Sequence, residues 1–314
     1  MPALERLCKP PSETGLLPTS GAAEAIALVL HEHKCSWAEA KPSEIGIPMP
    51  GYGAFRGVAS LLGIPTRTYT YDPRRAWAPD LDEISELAKQ CTALVITNPH
   101  NPTGHVLSNS FLRSIAQELF SHGGTLIVDE VFRVHDETES AIGLCNHAIV
   151  IGSLSKTYGL PGVRLGWIAA GRERLARLRT IQQYLSLTLN ALAATTCRVL
   201  LDKPDTFSRA ELIRKNRQIL IERAAAMRDR ISISNPLGGT TVCLNINSDL
   251  SEERLFDLFL QEGLLLAPGQ RCFEFVSDVP WFRLGYGADT TSFQRGLSVI
   301  DAVLSFGSAA NKPD

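Results

Sequence analysis

The sequence predicts an α/β fold: a mostly parallel mixed sheet sandwiched by helices, with a smaller α+β region on its carboxyl side. Three observations carry this. Between residues 45 and 170, short β-branched runs alternate with segments of helical period, which is the pattern of βαβ units. Polar residues collect where those runs end, as at Asn98 and Asp129, and open α/β sheets bind ligands at the carboxyl ends of their strands. From residue 172 the pattern becomes long and helical, and past Ile231 short strands mix with helices.

In chain order, strands are expected at 44–49, 66–70, 93–97, 125–129, 148–152 and 164–170, with helices at 22–33, 52–62, 81–89 and 110–120. The stretch 172–230 reads as helix, rich in Arg, Leu and Ala, with a break at Lys203-Pro204-Asp205. Its Lys and Arg alternate with Glu and Asp on an amphipathic pattern, so they read as a solvated face rather than a basic arm. Strands at 241–245, 264–267 and 281–286 and helices at 252–261 and 291–305 complete the chain. The change of pattern divides it into a large domain, 1–200, and a small one, 201–314.

The chain has 314 residues, 44% of them hydrophobic and 20% charged, a composition that builds a core and is neither disordered nor fibrous. Lys and Arg number 31 against 33 Asp and Glu, so no basic excess marks a nucleic acid or an anionic membrane as partner. Seven cysteines (Cys8, Cys35, Cys91, Cys145, Cys197, Cys243, Cys272) stand singly without a C-x-x-C pair, which fits free thiols in a reducing, cytoplasmic compartment and no metal site. The amino terminus lacks a signal-peptide run, and the apolar stretches 25–30 and 263–267 are far below membrane-spanning length.

Four segments carry chemistry. In Ser153-Leu154-Ser155-Lys156, followed by Gly159, Gly162, Arg164 and Gly166, an amine able to form a Schiff base sits among hydroxyls and a guanidinium fork suited to phosphate. Thr19-Ser20-Gly21-Ala22-Ala23-Glu24 places small residues at a helix start, whose unpaired N–H groups and positive dipole end suggest a second anion site. Thr97-Asn98-Pro99-His100-Asn101-Pro102-Thr103-Gly104 is a rigid turn presenting the Asn101 amide as a donor. In Val128-Asp129-Glu130-Val131-Phe132, Asp129 follows a buried run and needs either a cationic partner or a structural salt bridge or cap.

The order of these segments, with Pro50-Gly51-Tyr52 between them and Trp281-Phe282-Arg283-Leu284-Gly285 last, resembles the class I/II aminotransferases across nearly the whole chain. These are the fold-type I pyridoxal phosphate enzymes, and histidinol-phosphate aminotransferase and threonine-phosphate decarboxylase are similar to it. The resemblance implies pyridoxal 5'-phosphate as cofactor and transfer of an amino group between an α-amino acid and a 2-oxo acid. Lys156 then holds the cofactor and shuttles the proton, Asp129 pairs with the pyridine nitrogen, Asn101 bonds the phenolic oxygen, and Tyr52 stacks on the ring. Gly21, Ala22, Ala23, Ser153, Ser155 and Arg164 bind the phosphate, and Arg283, together with Asn101, holds the substrate carboxylate. A homodimer acting in amino-acid biosynthesis is also implied.

Two departures stand out. Phe132 occupies a position where the family has Tyr, which removes one hydrogen bond to the phenolic oxygen. The segment before Gly21 is also shorter than in relatives, so their amino-terminal dimer arm is expected to be absent or replaced. Decarboxylation or cyclisation on the same scaffold is the alternative reaction, and a non-catalytic aminotransferase-like protein the alternative class. A dinucleotide reading of Gly51, Gly53 and Gly57 fails on the spacing of its third glycine.

Overall fold

The computed structural model describes residues 2–36, 43–135, 137–144, 148–202 and 208–309. Cys145 and the expected break at Lys203-Pro204-Asp205 lie outside them. In chain order the larger sheet collects β1 (Thr14–Thr19), β2 (Ile45–Met49), β3 (Thr66–Asp72), β4 (Ala78–Pro79), β5 (Ala93–Thr97), β6 (Thr125–Asp129), β7 (Ala148–Ser153) and β8 (Gly166–Gly171). Its order is β1-β8-β7-β6-β5-β2-β3-β4. Neighbours from β3 to β7 run parallel, while β8 is antiparallel to both β7 and β1, so the sheet is mixed as expected.

Both faces of this sheet are covered, and alternation assigns the faces. Leu94, Ile96, Leu126, Val128 and Val150 enter one apolar cluster, and Val95, Ile127, Ile149 and Ile151 the other. The first is roofed by α1 (Pro2–Cys8), α4 (Leu81–Gln90), α5 (Asn109–Ser121) and α7 (Ala191–Leu201); the second by α2 (Ala22–Ser36), α3 (Gly53–Leu61) and α6 (Arg172–Leu185). A strand buried on both faces must be apolar at every position, which is why the runs at 93–97 and 125–129 read so clearly.

Beyond α8 (Ala210–Ala226) the chain builds a second, antiparallel sheet from β9 (Ile231–Ile233), β10 (Thr241–Ile246), β11 (Ala267–Pro268) and β12 (Trp281–Gly285), in the order β11-β12-β10-β9. It packs with α8, α9 (Glu252–Gln261) and α11 (Thr290–Ala309), while α10 (Gly269–Phe273) is a short turn of helix beside β11.

Four local differences from the sequence reading have physical causes. The helical stretch 172–201 divides at Leu187, whose φ is +63°, and α7 restarts because the Asn190 side chain accepts the Leu192 and Ala193 N–H groups. The strand expected at 164–170 begins at Gly166, because Arg164 takes a left-handed φ of +57° at the end of a 3-10 turn. Only Ala267–Pro268 pairs in the strand expected at 264–267, because the Leu264 N–H closes α9 on the Phe259 carbonyl at 2.8 Å. Residues 14–19, to which no strand was assigned, add the antiparallel edge strand beside β8.

Candidate active site

The register of the larger sheet brings the sequence motifs to one edge. Thr97 pairs with Asp129, Asp129 with Ile151, Ser153 with Gly166 and Gly166 with Thr19, so the motif-bearing ends of β5, β6, β7, β8 and β1 stand in a row. The α2 helix starts three residues beyond Thr19, with its amino end at that row.

An anion cup forms where β7, β8 and α2 meet. Ser153 and Ser155 lie 2.8 Å apart through their hydroxyls, and the Ser155 N–H donates to Ser153 Oγ at 3.1 Å. Arg164 folds its guanidinium back, donating to the carbonyls of Pro161 (3.2 Å) and Ser20 (3.4 Å). Gly21 has φ +89°, and a Cβ there would stand 2.6 Å from Arg164 Nη2. A Cβ on Gly166 would stand 2.7 Å from the Gly21 carbonyl carbon and 2.9 Å from the Ala22 nitrogen, all backbone atoms that cannot swing away. Gly21, Ala22, Ala23, Ser153, Ser155 and Arg164 are thus brought together by close packing that only glycine allows. Two hydroxyls, a guanidinium and the open N–H groups of a helix are a donor set for a phosphate.

Asp129, fully buried at the end of β6, accepts the Val131 N–H at 2.9 Å. Burial pushes its carboxyl up to about 6, with the neighbouring Glu130 adding to the rise. Beside it Thr97 Oγ1 is buried without a hydrogen-bond partner among the described residues. A carboxylate in this position is matched by a cationic ring nitrogen, so the residues present fit pyridoxal phosphate at both its nitrogen and its phosphate.

The loop after β5 is clipped by Asn98, whose amide donates to the Leu107 carbonyl (3.0 Å) and accepts the Leu107 N–H (2.9 Å). His100 stacks on Tyr71 at 3.5 Å, and the Asn98–Pro99 and Asn101–Pro102 peptides are cis. In that loop Asn101 Oδ1 accepts a 3.1 Å bond from Arg283 Nη1 on β12. The acceptor end of Asn101 is therefore taken, and its Nδ2 donor is the end left for a phenolic oxygen. Further ties from the second sheet hold this geometry: Ser234 Oγ donates to the Thr103 carbonyl at 2.7 Å, and the Trp77 indole donates to Asn245 Oδ1 at 3.1 Å.

Lys156 sits in the bend after β7, closed by the Gly159 N–H donating to the Lys156 carbonyl at 3.1 Å and anchored by buried Leu154. Its Nζ lies 5.7 Å from the centre of the Phe132 ring. Burial lowers its pKa, and the charge of Arg283 lowers it further, which favours the free, nucleophilic amine. Lys156, Phe132 and Arg283 share one cleft of about 700 Å³ that opens between the two sheets. Tyr52 is not among the residues lining that cleft. It caps α3, is 43% exposed and lines a small hollow with Gly51 and Phe273.

Two cleft residues escaped the sequence reading. Arg209 belongs to a stretch read as a solvated helix face, yet as the residue preceding α8 it stands against Gly159, so that part of the reading is corrected. Arg271 lies in α10, a five-residue helix that starts at Gly269 directly after β11 and is too short to show a helical period in the sequence. Among the described residues no group of three or more His, Cys, Asp or Glu is placed to hold a metal.

The profile of the family described as aminotransferase class I and II matches residues 9–300. Capreomycidine synthase of Streptomyces vinaceus is 29% identical over 298 residues, 92% of this chain and 74% of that protein. Nicotianamine aminotransferase B of Hordeum vulgare is 26% identical over 94% of this chain and 56% of its own length. The crystal structure of the histidinol-phosphate aminotransferase from Clostridium acetobutylicum superposes with a TM-score of 0.84 at 20% identity, over 97% of this chain and 88% of that one, a likeness of fold. The chain therefore belongs to the class I and II aminotransferases, the pyridoxal phosphate-dependent enzymes of fold type I.

Proposed function

We propose that this protein transfers an amino group between an α-amino acid and a 2-oxo acid, using the site residues in the roles their sequence positions suggest. The observation that carries the reading is the hydrogen bond from Arg283 to Asn101, because it ties a carboxylate-binding guanidinium to the loop beside Asp129 in the cleft that holds Lys156. Pyridoxal phosphate, when bound, supplies an electron-withdrawing ring that stabilises negative charge at the substrate Cα. Arg283 receives the α-carboxylate as a fork and fixes the Cα substituents relative to that ring. Asp129 holds a proton at the pyridine nitrogen, Asn101 donates to the phenolic oxygen, and the cup of Gly21, Ala22, Ala23, Ser153, Ser155 and Arg164 takes the phosphate. Lys156 Nζ moves the proton at Cα, and Tyr52, which lines a separate hollow beside α3, is assigned to the ring face by its sequence position alone.

Packing supports the division into 1–200 and 201–314, because α7 rests on α1 and the larger sheet while α8 packs into the cluster of the second sheet. A homodimer is supported by exposed Tyr184, Leu185, Leu187 and Leu192, an apolar run at the junction of α6 and α7 of the kind that marks association surfaces. A cytoplasmic place in amino-acid metabolism rests on the unpaired cysteines and the chemistry. Cyclisation is the second reading, favoured by the similarity to a protein named a synthase.

The test is to load the purified protein with pyridoxal phosphate, add single amino acids with 2-oxoglutarate, and follow the cofactor absorbance together with 2-oxo acid formation. A product that keeps its amino group would replace transfer by cyclisation. Arg283→Met is expected to retain cofactor absorbance and lower kcat/KM for the amino donor about 100-fold, the worth of charge-assisted hydrogen bonds of about 1.5–3 kcal/mol. An unchanged kcat/KM would remove Arg283 from its role. Gly166→Ala is expected to weaken pyridoxal phosphate binding more than tenfold, measured by equilibrium dialysis, because its methyl must displace the backbone of Gly21 and Ala22.

A further inference from the structure

Away from the cleft, a short strap at the edge of the larger sheet reaches the second one. β3 reverses into β4 through residues 73–77, beginning with the 3-10 turn Pro73–Arg75, whose Arg74 N–H is accepted by the Asp72 side chain at 2.9 Å. Ala76 and Trp77 then take φ +51° and +61°, a left-handed backbone that residues with a Cβ avoid, bulky aromatics most of all. Such a conformation persists only where its surroundings enforce it. Here the Trp77 N–H donates to the Asp72 carbonyl at 2.8 Å, and the side chain is fully buried against the second sheet. Its ring centre lies 4.7 Å from that of Trp281 and 5.7 Å from that of Phe275, and its indole N–H donates to Asn245 Oδ1 at 3.1 Å.

Strand register sets this contact beside Arg283. On β12, Phe282 and Leu284 enter the core of the second domain, so Trp281 and Arg283 face the other way, toward the larger sheet. On β10, Val242, Leu244 and Ile246 enter that core, which leaves Cys243 and Asn245 on the same face as Arg283. Asn245 pairs with Trp281 and Cys243 with Arg283. Trp77 therefore grips both members of one cross-strand pair, and Arg283 belongs to the next pair on that face. Phe273 adds a second route, its ring centre 5.5 Å from that of Trp281 and 5.4 Å from the Arg283 guanidinium. The hydrogen bond to Asn101 orients the tip of a long, rotatable side chain, whereas the Trp77 contact fixes the strand that carries it.

We infer that Trp77 is a positioning residue for Arg283: docked on the Asn245–Trp281 pair, it fixes the second sheet against the larger one in the empty protein and so presets the guanidinium for the substrate carboxylate. The inference rests on the assignment of Arg283 to that carboxylate. The joint has two parts with different work. The indole hydrogen bond is directional and sets how far β10 and β12 can slide, while the packed rings resist separation of the sheets. A guanidinium held in place beforehand loses less freedom when an anion binds, which strengthens binding without a new contact to the ligand.

The experiment has one readout on the empty protein and one on the loaded protein. Cys243 is fully buried on the joint face, and Cys91 is equally buried within the larger domain. Labelling of both thiols by N-ethylmaleimide under native conditions is timed by mass spectrometry of their peptides. Trp77→Leu is expected to label at Cys243 at least about tenfold faster than wild type, with Cys91 within about twofold, because the joint opens without global unfolding. In the pyridoxal phosphate-loaded protein, loss of visible absorbance is timed with aminooxyacetate, which carries a carboxylate, and with methoxyamine, which does not. The ratio of the two rates reports the carboxylate alone. It is expected to fall about tenfold in Trp77→Leu while the methoxyamine rate stays within about twofold, and to fall no further when Trp77→Leu is added to Arg283→Met. If Trp77→Leu fails to fold, Trp77→Phe, which keeps a ring and loses the indole bond, carries the same readouts with changes of about threefold. Cys243 labelling that rises no more than that of Cys91, an unchanged ratio, or a loss that adds to that of Arg283→Met overturns the inference. If Arg283→Met alone leaves the ratio at its wild-type value, the assignment of Arg283 falls and takes the inference with it, even where Cys243 responds.

Discussion

Lys156→Ala is expected to abolish amino transfer, with kcat falling on the order of 10⁴-fold or more, because the change removes both the group that holds the cofactor and the base at Cα. The visible absorbance of the loaded protein should shift to that of non-covalently held pyridoxal phosphate, and a small primary amine added in solution should restore part of the rate. Persistence of the wild-type band in the variant would remove Lys156 from its place. The surroundings add a second expectation. Burial and the Arg283 charge both lower the Lys156 pKa, so cofactor capture by the empty protein should depend on a group titrating below the ordinary lysine value of 10.5. Arg283→Met removes one of the two causes, and the pH profile of capture should move upward.

Asp129→Asn should have opposite effects on the empty and the loaded protein. In the empty protein the buried carboxyl titrates at about 6 against an ordinary value of 3.8, so the native state holds its proton more tightly than the unfolded chain. Its contribution is therefore favourable at low pH and is lost as pH rises through about 4 to 6, leaving a cost of about 3 kcal/mol above that window. The amide avoids that cost and can still accept the Val131 N–H. Without cofactor, the variant should unfold at a higher temperature than wild type at pH 7.5 and at nearly the same temperature near pH 4. With saturating pyridoxal phosphate, wild type should gain more than the variant, since only the carboxylate pairs with a pyridinium nitrogen, and the variant should lose most of its turnover. Equal melting temperatures at pH 7.5 without cofactor would show that Asp129 carries no such strain.

The legible parts of the fold were those whose cause is local. Parallel strands buried on both faces must be apolar at every position, and β5 and β6 were read to the residue for that reason. Edge and connecting elements were not. β1 carries two apolar residues in the middle of a Gly- and Pro-containing run, and β9 is three residues long, so both are strands only because a neighbour pairs with them. The motif residues around Lys156, Asp129 and Asn101 were found because their order along the chain is distinctive. Arg209 and Arg271 were missed because an arginine at the start of a helix or in a short one has the same local signature whether it faces water or a cleft.

The sequence by itself determined the alternating α/β pattern, the set of groups able to hold a phosphate, a pyridine nitrogen and a carboxylate, and hence the family. Tertiary structure decided which of these groups meet. Arg283 reaches Asn101 across 182 positions of chain, and Arg209 just before α8, Arg271 on α10 and Arg283 on β12 come to line the cleft that Lys156 enters. Periodicity and turn chemistry act over a few residues, so they can be read from neighbours in sequence. The spacing of charges in a cleft depends on how two sheets pack, and that is set by the summed burial of side chains distant along the chain.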